Sequence, residues 1–346
     1  MVKYSIIIPV YNRPDEVGEL ITSLTAQEFK SFELIIVEDG STVTCRHVCE
    51  AHSSELDLHY FAKPNGGPGK ARNYGAERAQ GEYLIFLDSD VIVPQHYLEH
   101  IESELDTKPC DAFGGPDRAH SDFTDVQKAI NYSMTSFLTT GGIRGGKKKL
   151  DKFYPRSFNL GIKRNVFNTL GGFSDMRFGE DIDLSIRIFK EGHSCRLFPE
   201  AWVWHKRRAT FRQFFKQVFN SGMARINLYE KYPESLKAVH TLPALFTAGL
   251  TVLVLMFIVG LITLLVQHST IAIALTLTTL GLFAGFCLLI GITSAVQNRS
   301  IKVGALSVIA SLVQLTGYGS GFIYAVLLRL GGHKKRKSAF DKNFYD

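Results

Sequence analysis

Apolar residues change their grouping twice along this chain. Up to about residue 200 they come in short unbroken runs separated by amphipathic stretches. Ser5 to Val10, Phe32 to Val37 and Tyr83 to Leu87 are runs of this kind, and they read as strands buried on both faces. Between them, Pro14-Asp15-Glu16 opens a helix with Val17, Leu20, Ile21 and Leu24 on one face. A second helical stretch follows Ser41, then a weaker strand at Leu58 to Phe61 and a helix from Ala71 to Gln80. This alternation predicts an α/β fold, a mostly parallel sheet with helices on both faces. Further on, the pattern predicts a helix from Pro94 to about Leu105 and a strand near Asp111 to Gly115. Residues 117–157 read as irregular, and Ser157 to Ile162 leads into a short helix. An amphipathic helix then runs from Ile182 to Gly192, and Cys195 to Trp204 reads as a final strand.

From Leu242 the grouping changes again. Leu242–Val266, Ile271–Thr293 and Val303–Leu328 carry no Asp, Glu, Lys or Arg. Each is long enough to cross about 30 Å of hydrocarbon. The chain therefore divides into a soluble domain at 1–235, a membrane domain at 236–330 with two or three apolar helices, and a basic tail at 331–346. Three crossings would put His333-Lys334-Lys335-Arg336-Lys337 on the side opposite the first domain, against the positive-inside rule. Two crossings and a third segment that is re-entrant or interfacial, broken at Gly317-Tyr318-Gly319-Ser320-Gly321, remove the conflict. Phe211, Phe214, Phe215, Val218 and Phe219 fall at helical spacings that suit an interfacial helix before the first crossing.

The totals narrow the class. At 346 residues and a net charge of +6, the chain lacks the basic excess of a nucleic-acid binder. Its basic runs, Lys147 to Lys149 and His333 to Lys337, suit anionic lipid or phosphate better. Five cysteines with no paired spacing suit a reducing compartment. Cys45, His47, Cys49 and His52 have no second ligand cluster to complete a zinc site. Met1-Val2-Lys3 runs straight into a strand with no signal-peptide core, so the first domain is expected in the cytoplasm.

Chemistry concentrates where apolar runs end. Tyr83 to Leu87 stops at Asp88-Ser89-Asp90, and ligands of open α/β sheets sit beyond the carboxyl ends of strands. Two carboxylates so close favour a hard divalent cation between them; an ordinary strand-to-turn boundary has the same composition. Asn65-Gly66-Gly67-Pro68-Gly69-Lys70 is a glycine-rich loop but neither a P-loop nor a dinucleotide fingerprint. Pro64 and Arg72 stand where those motifs need glycine, so a turn and helix cap is the local reading. Glu180 and Asp181 open a helix, where acidic residues also complement the dipole.

Taken in order, these motifs resemble the family 2 glycosyltransferases, inverting enzymes with a GT-A fold. The match runs through Ile8-Pro9-Val10-Tyr11-Asn12, Val37-Glu38-Asp39-Gly40-Ser41, Ala71-Arg72-Asn73 with Gly81 to Asp90, and Gly179-Glu180-Asp181 with Asp183-Leu184. It covers about residues 4–225. The resemblance implies a nucleotide-sugar donor, UDP- or GDP-linked, and a divalent cation, Mg²⁺ or Mn²⁺, on Asp90 with Asp88 and His205. It implies Asp181 as general base for an acceptor hydroxyl, with Glu180 beside it to orient the acceptor. Pro9, Tyr11, Glu38, Asp39, Lys70, Arg72 and Asp88 become the nucleotide-sugar contacts. Glu38 departs from the family's commoner pair of aspartates at that point. The Gln-x-x-Arg-Trp segment of processive synthases is missing, so transfer of one or a few residues is expected.

A membrane anchor beside such a site suggests a polyprenyl-linked saccharide as acceptor, in cell-surface glycan synthesis. Polyprenyl phosphate itself is the alternative acceptor, and a non-catalytic nucleotide-sugar-binding module is the alternative of another class. A transporter fits poorly, because the three apolar stretches carry none of the charges that mark a substrate path.

Overall fold

The computed structural model describes residues 2–118, 122–140, 153–267 and 270–331. The lysine run at 147–149 and the basic tail at 333–337 lie outside the described residues. In chain order the elements are β1 (Tyr4–Val10), α1 (Pro14–Thr25), β2 (Phe32–Asp39), α2 (Arg46–Ala51), β3 (Leu58–Lys63), α3 (Pro68–Ala76), β4 (Tyr83–Leu87), β5 (Val91–Ile92) and α4 (Tyr97–Thr107). They continue with β6 (Ala112–Gly114), β7 (Asp117–Arg118), α5 (Asp125–Thr135), α6 (Phe137–Thr140), β8 (Asn159–Lys163), α7 (Arg164–Thr169), α8 (Glu180–Lys190), β9 (Cys195–Leu197) and β10 (Val203–His205). The long helices α9 (Phe211–Lys231), α10 (Leu242–Gln267), α11 (Thr270–Asn298) and α12 (Ile301–Leu330) complete the chain. Two compact units result, one from 2–118 and 153–206, the other from 122–140 and 207–331. The hydropathy boundary at 235 and the packing boundary at 206 differ because α9 packs with the apolar helices.

In the first unit a seven-stranded sheet has the order β3-β2-β1-β4-β8-β6-β9. β1 pairs parallel with β2 and β4, β2 with β3, and β8 runs antiparallel to β4 and β6. Alternate residues of the central strands feed two separate cores, as period two requires. Ile6, Ile8, Leu34, Ile36 and Ile85 pack on one side, and Ile7, Ile35, Val37, Leu84 and Phe86 on the other. Each such side chain contributes about 1.5–3 kcal/mol by leaving water. The parallel register brings the ends of β1, β2 and β4 to one edge of the sheet, at Val10, Asp39 and Leu87.

Two readings from hydropathy change here. The expected final strand from Cys195 to Trp204 is two strands in different sheets. β9 extends the main sheet beside β6, while β10 joins β5 and β7 in a three-stranded sheet. The stretch 117–157, read as irregular, contains the helix α5. Its start is a capping box: the Gln127 amide donates to Thr124 Oγ1 at 3.3 Å and the Thr124 amide to Gln127 Oε1 at 3.0 Å.

In the second unit α10 and α11 form a hairpin. Phe246 meets Phe286 at 5.2 Å, and a Cβ on Gly260 would meet Thr276. All three apolar helices are long and apolar enough to cross a membrane. α12 nevertheless packs differently. Ser307 and Gly304 meet Ser294 and Gly291 of α11, while Leu315 and Gly319 meet Thr247 and Pro243 of α10. These two groups on α12 are separated by about 16 Å of helix, yet both lie at one end of the hairpin. α12 therefore crosses that end at a steep angle instead of running alongside. It is also continuous through Gly317 to Gly321 and not broken there. Those glycines serve close approach on two faces: Gly317 and Gly321 against Val218 and Phe219 of α9, and Gly319 against Pro243 of α10.

Gly161 shows how tightly the first unit is built. It lies opposite Phe113 in the β8–β6 pair, and the Phe113 ring stacks on Phe198 at 4.6 Å. A Cβ on Gly161 would stand 2.0 Å from that ring. Gly161→Ala is therefore expected to lower stability by about 1–3 kcal/mol, read as a lower melting temperature of the full chain in detergent. Gly285→Ala, where a Cβ meets nothing within 4 Å, is the control and should leave the melting temperature unchanged or slightly higher.

Candidate active site

The polar groups at the sheet edge form a line of alternating charge. Asp88 and Asp90 follow β4. The pairing of His205 with Val91 across β10 and β5 brings the imidazole to them. His205 Nε2 lies 3.2 Å from Asp90 Oδ1 and 4.0 Å from Asp88 Oδ2. One ligand atom from each of Asp88, Asp90 and His205 falls within 4.8 Å of the others, so these groups could hold a metal ion. Oxygen and imidazole donors in this ratio suit Mn²⁺ or Mg²⁺ better than a soft metal. The His205 Nδ1 atom is buried with no partner among the described residues, where most metal-binding histidines have a second hydrogen bond that orients the ring.

Arginines balance the carboxylates. Arg13, at the start of α1, donates to Asp90 Oδ2 at 2.5 Å. Sequence reasoning passed over it, although Asn12-Arg13-Pro14 directly follows β1 at the same edge. Arg72 of α3 is buried, with its side chain 4% exposed, and spans two acids. Its Nη2 reaches Asp88 Oδ1 at 2.6 Å and its Nη1 reaches Glu180 Oε1 at 3.1 Å. Arg156, also passed over, donates from Nε to Asp181 Oδ2 at 2.5 Å.

The two carboxyls that open α8 are thus in unlike surroundings. Gly179 reaches the left-handed region at φ 80°, which turns the chain into the helix and places Glu180 and Asp181 in its first turn. Burial, then the charge of Asp181, pushes Glu180 up to about 7 against the opposing pull of Arg72. Burial would raise Asp181 too, but the charge and hydrogen bond of Arg156 outweigh it and hold Asp181 below the usual carboxylate range. Asp181 is thus the more acidic of the two, and Glu180 the one that holds its proton longer as pH rises.

Other motif residues turn out to position loops. Asp39 is 1% exposed, and its carboxylate accepts from Lys63 Nζ and from the Gly66 and Gly67 amides at 2.6, 2.9 and 2.7 Å. Glu38 is equally buried and accepts from Ser41 and from the Cys45 amide. The carboxylates of Glu38 and Asp39 are therefore committed within the protein. Asn12, at φ 52°, accepts from the Thr42 and Val43 amides and ties the end of β1 to the loop after β2. Asn73 clamps Phe173 with a reciprocal pair of bonds at 2.8 and 2.9 Å. Pro9 and Tyr11 are half-buried at the end of β1. Lys70 is exposed and faces Asp175 at 3.6 Å, on the rim of a cleft of about 270 Å³ lined by Asn65–Lys70 and Ser174–Arg177. The structure brings Asp88, Asp90, His205, Arg72 and Glu180 into one network. It leaves Lys70 outside that network.

Comparison with known proteins bears on this edge. Residues 5–171 match the model of Glycosyl transferase family 2. That segment contains β1, β2, α3 and the Asp88-Ser89-Asp90 turn; Glu180, Asp181 and His205 lie beyond the match. An uncharacterised glycosyltransferase of Rickettsia felis is 42% identical over 103 residues, 30% of this chain and 17% of that protein. The poly(ribitol-phosphate) β-N-acetylglucosaminyltransferase TarS of Staphylococcus aureus is 34% identical over 110 residues, 31% of this chain and 19% of TarS. The chain thus spans less than a fifth of the length of these two curated relatives. Among solved structures, the mannosyltransferase PcManGT of Pyrobaculum calidifontis, in complex with GDP-Man and Mn²⁺, is 16% identical with a TM-score of 0.60. The alignment covers 96% of this chain and 88% of that one, and it shows a shared fold.

The two carboxyls make a pH prediction. Folded Glu180 keeps its proton up to about 7, whereas the unfolded chain releases it near 4.5. The folded state binds more protons across that window, so this group's contribution to stability is full below about 4.5 and is lost as pH rises to about 7. Glu180→Gln should flatten the profile of melting temperature against pH between those values. An unchanged slope in the variant would show that Glu180 ionises as an ordinary carboxyl.

Proposed function

We propose that the protein transfers a sugar, with inversion, from a UDP- or GDP-linked donor to a hydroxyl of a membrane-bound, polyprenyl-linked acceptor in cell-surface glycan synthesis. One observation carries the reading: in a chain whose residues 5–171 match a glycosyltransferase family, Arg72 ties a carboxylate–imidazole cluster to the Glu180–Asp181 turn. Donor binding and proton removal need these two parts within one sugar's reach. That the mannosyltransferase PcManGT is in complex with GDP-Man supports the donor class. The long apolar helices support a membrane-bound acceptor.

Asp90, Asp88 and His205 would hold the divalent cation, which when bound supplies charge neutralisation at the diphosphate. Arg13 and Arg72 already supply two guanidinium groups at that edge, and they would meet the diphosphate oxygens as it enters. Pro9, Tyr11, Asp39 and Lys70 flank the nucleotide. Asp39 acts there by fixing the Gly66–Gly67 amides, and Glu38 by fixing the loop that follows β2. Asp181, ionised at neutral pH, takes the proton of the acceptor hydroxyl. Arg156 is 39% exposed, so its guanidinium can swing out as the acceptor arrives. Glu180 orients the acceptor from its bond to Arg72.

Asp181→Asn is expected to keep donor binding, seen as a thermal shift with nucleotide-sugar, and to lower transfer to a hydroxyl by at least about a hundredfold. Asp90→Ala should abolish metal-dependent turnover. Full activity of wild type in chelator would remove the metal from this reading. Near-normal turnover of Asp181→Asn on polyprenyl phosphate would make the lipid phosphate the acceptor, because a phosphate oxygen needs no base. Donor binding with no turnover on any acceptor would leave a binding module.

The membrane reading is two crossings, α10 and α11, with α12 lying in the interface across their shared end. The steep crossing of α12 supports this, and it returns the tail to the side on which the chain entered. Single-cysteine variants test it with an impermeant thiol reagent in sealed vesicles. Gly331→Cys should react from the same side as the first unit, and Thr270→Cys, at the hairpin turn, from the other. Labelling of Gly331→Cys from the far side would make α12 a third crossing.

A further inference from the structure

The second unit holds a group of hydrogen-bond donors that no acidic side chain among the described residues answers. The Arg225 guanidinium of α9 faces the Tyr318 hydroxyl of α12. Its Nε is buried without an acceptor among the described residues. Neither Arg225 nor Lys237 has a carboxylate partner among the described residues, while Arg329 and Lys302 of the same unit are paired with Glu230 and Asp125. The Lys237 amide donates to His240 Nδ1 at 3.0 Å, which leaves Nε2 of that ring as a donor. Burial, with the charges of Arg225 and Lys237, pushes the His240 imidazolium down to about 3, so the ring is neutral in cationic surroundings. The Tyr318 hydroxyl beside Arg225 has its own proton to give. Guanidinium, ammonium, phenol and imidazole N–H together offer donors that face no carboxylate among the described residues. That is the complement of a phosphate.

The position identifies the carrier. Lys237 and His240 directly precede Leu242, where the apolar run of α10 begins. Tyr318 adjoins Gly319, which packs on Pro243 at that same point. Residues at the start of a membrane-crossing helix lie at the depth of the lipid headgroups. We propose that Arg225, Tyr318, Lys237 and His240 form a binding site for the phosphate of an anionic membrane lipid. The site rests on the interfacial placement of α12 given above and not on the transfer chemistry.

The full chain, purified in mild detergent, would be mixed with micelles containing phosphatidylglycerol, polyprenyl phosphate or phosphatidylcholine, and the retained lipid weighed by mass spectrometry. Wild type should retain one or both anionic lipids over the zwitterionic one. Arg225→Gln and Lys237→Gln should each lower that retention about fivefold, the effect of one basic residue at a charged surface. Arg225→Lys should keep most of it. Retention of polyprenyl phosphate alone would make this the acceptor's anchor, and retention of both a headgroup site; each supports the proposal. Equal retention of phosphatidylcholine, or unchanged retention in both glutamine variants, overturns it. Thermal shift with nucleotide-sugar reports on the first unit and checks folding. If Arg225→Gln fails that check, the exposed Lys237 decides. Loss of lipid selectivity with Gly331→Cys still labelled from the near side would overturn the site and leave the two-crossing topology standing.

Discussion

The first unit depends on one buried cation. Arg72 sits 4% exposed between Asp88, at the end of β4, and Glu180, at the start of α8. Taking a guanidinium out of water is costly, and only close opposite charges offset it. The bond to Asp88 at 2.6 Å and that to Glu180 at 3.1 Å do so, and in turn they keep two carboxyls from different elements at one edge. Losing one partner of such a group leaves a stranded charge, at about 3–5 kcal/mol. The network is therefore cooperative. It sets the spacing between the Asp88–Asp90–His205 cluster and the proposed base, and it explains why Glu180 and Asp181 differ although they are neighbours. Glu180 shares its arginine with Asp88 and stays partly protonated, while Asp181 has Arg156 beside it and stays ionised.

The remaining motifs serve this arrangement from behind. Asn73 follows Arg72 in α3 and clamps Phe173, and Arg187 of α8 bonds to Asp183 and to the carbonyls of Leu170 and Gly172. The turn that delivers α8 is thereby attached to the helix that carries Arg72. Asp39 and Asn12 do the same for the loops after β2 and β3. Ionic and amide side chains hold irregular backbone here because a loop has no ladder of its own to satisfy its N–H groups.

Much of this was legible from residue order. Unbroken apolar runs identified β1, β2 and β4, and carboxylates at their ends marked the edge. Three kinds of information were not. The partners of Glu38 and Asp39 come from backbone amides, which carry no sequence signal, so a buried structural carboxylate and a ligand-reading one look alike. Arg13 and Arg156 reach their partners across 77 and 25 residues, beyond any local pattern. His205 was placed by resemblance, and what brings it to Asp90 is a two-residue strand, β5, too short to show periodicity. The helix α5 was missed for another reason: its capping box, Thr124 to Gln127, precedes an apolar face that packs on α12 and looks irregular when that partner is unknown.

The membrane part turns on a similar point. Length and composition make α12 a span equal to α10 and α11, and three spans set the basic tail against the charge rule. Its glycines argue otherwise. In a helix, positions 317 and 321 share a face and position 319 lies nearly opposite. Here the first pair admits α9 and the other admits α10. A crossing helix surrounded by lipid has no need of close approach on opposite faces. One wedged between a basic amphipathic helix and the end of a hairpin does. α9 carries Arg212, Lys216 and Arg225, which would be costly at the depth of the hydrocarbon. A helix that packs along α9 over the whole stretch from Gly317 to Arg329 shares its depth. The charge rule and the packing then favour the same topology, and the half-buried Arg225 between these helices lies where a lipid phosphate can reach it.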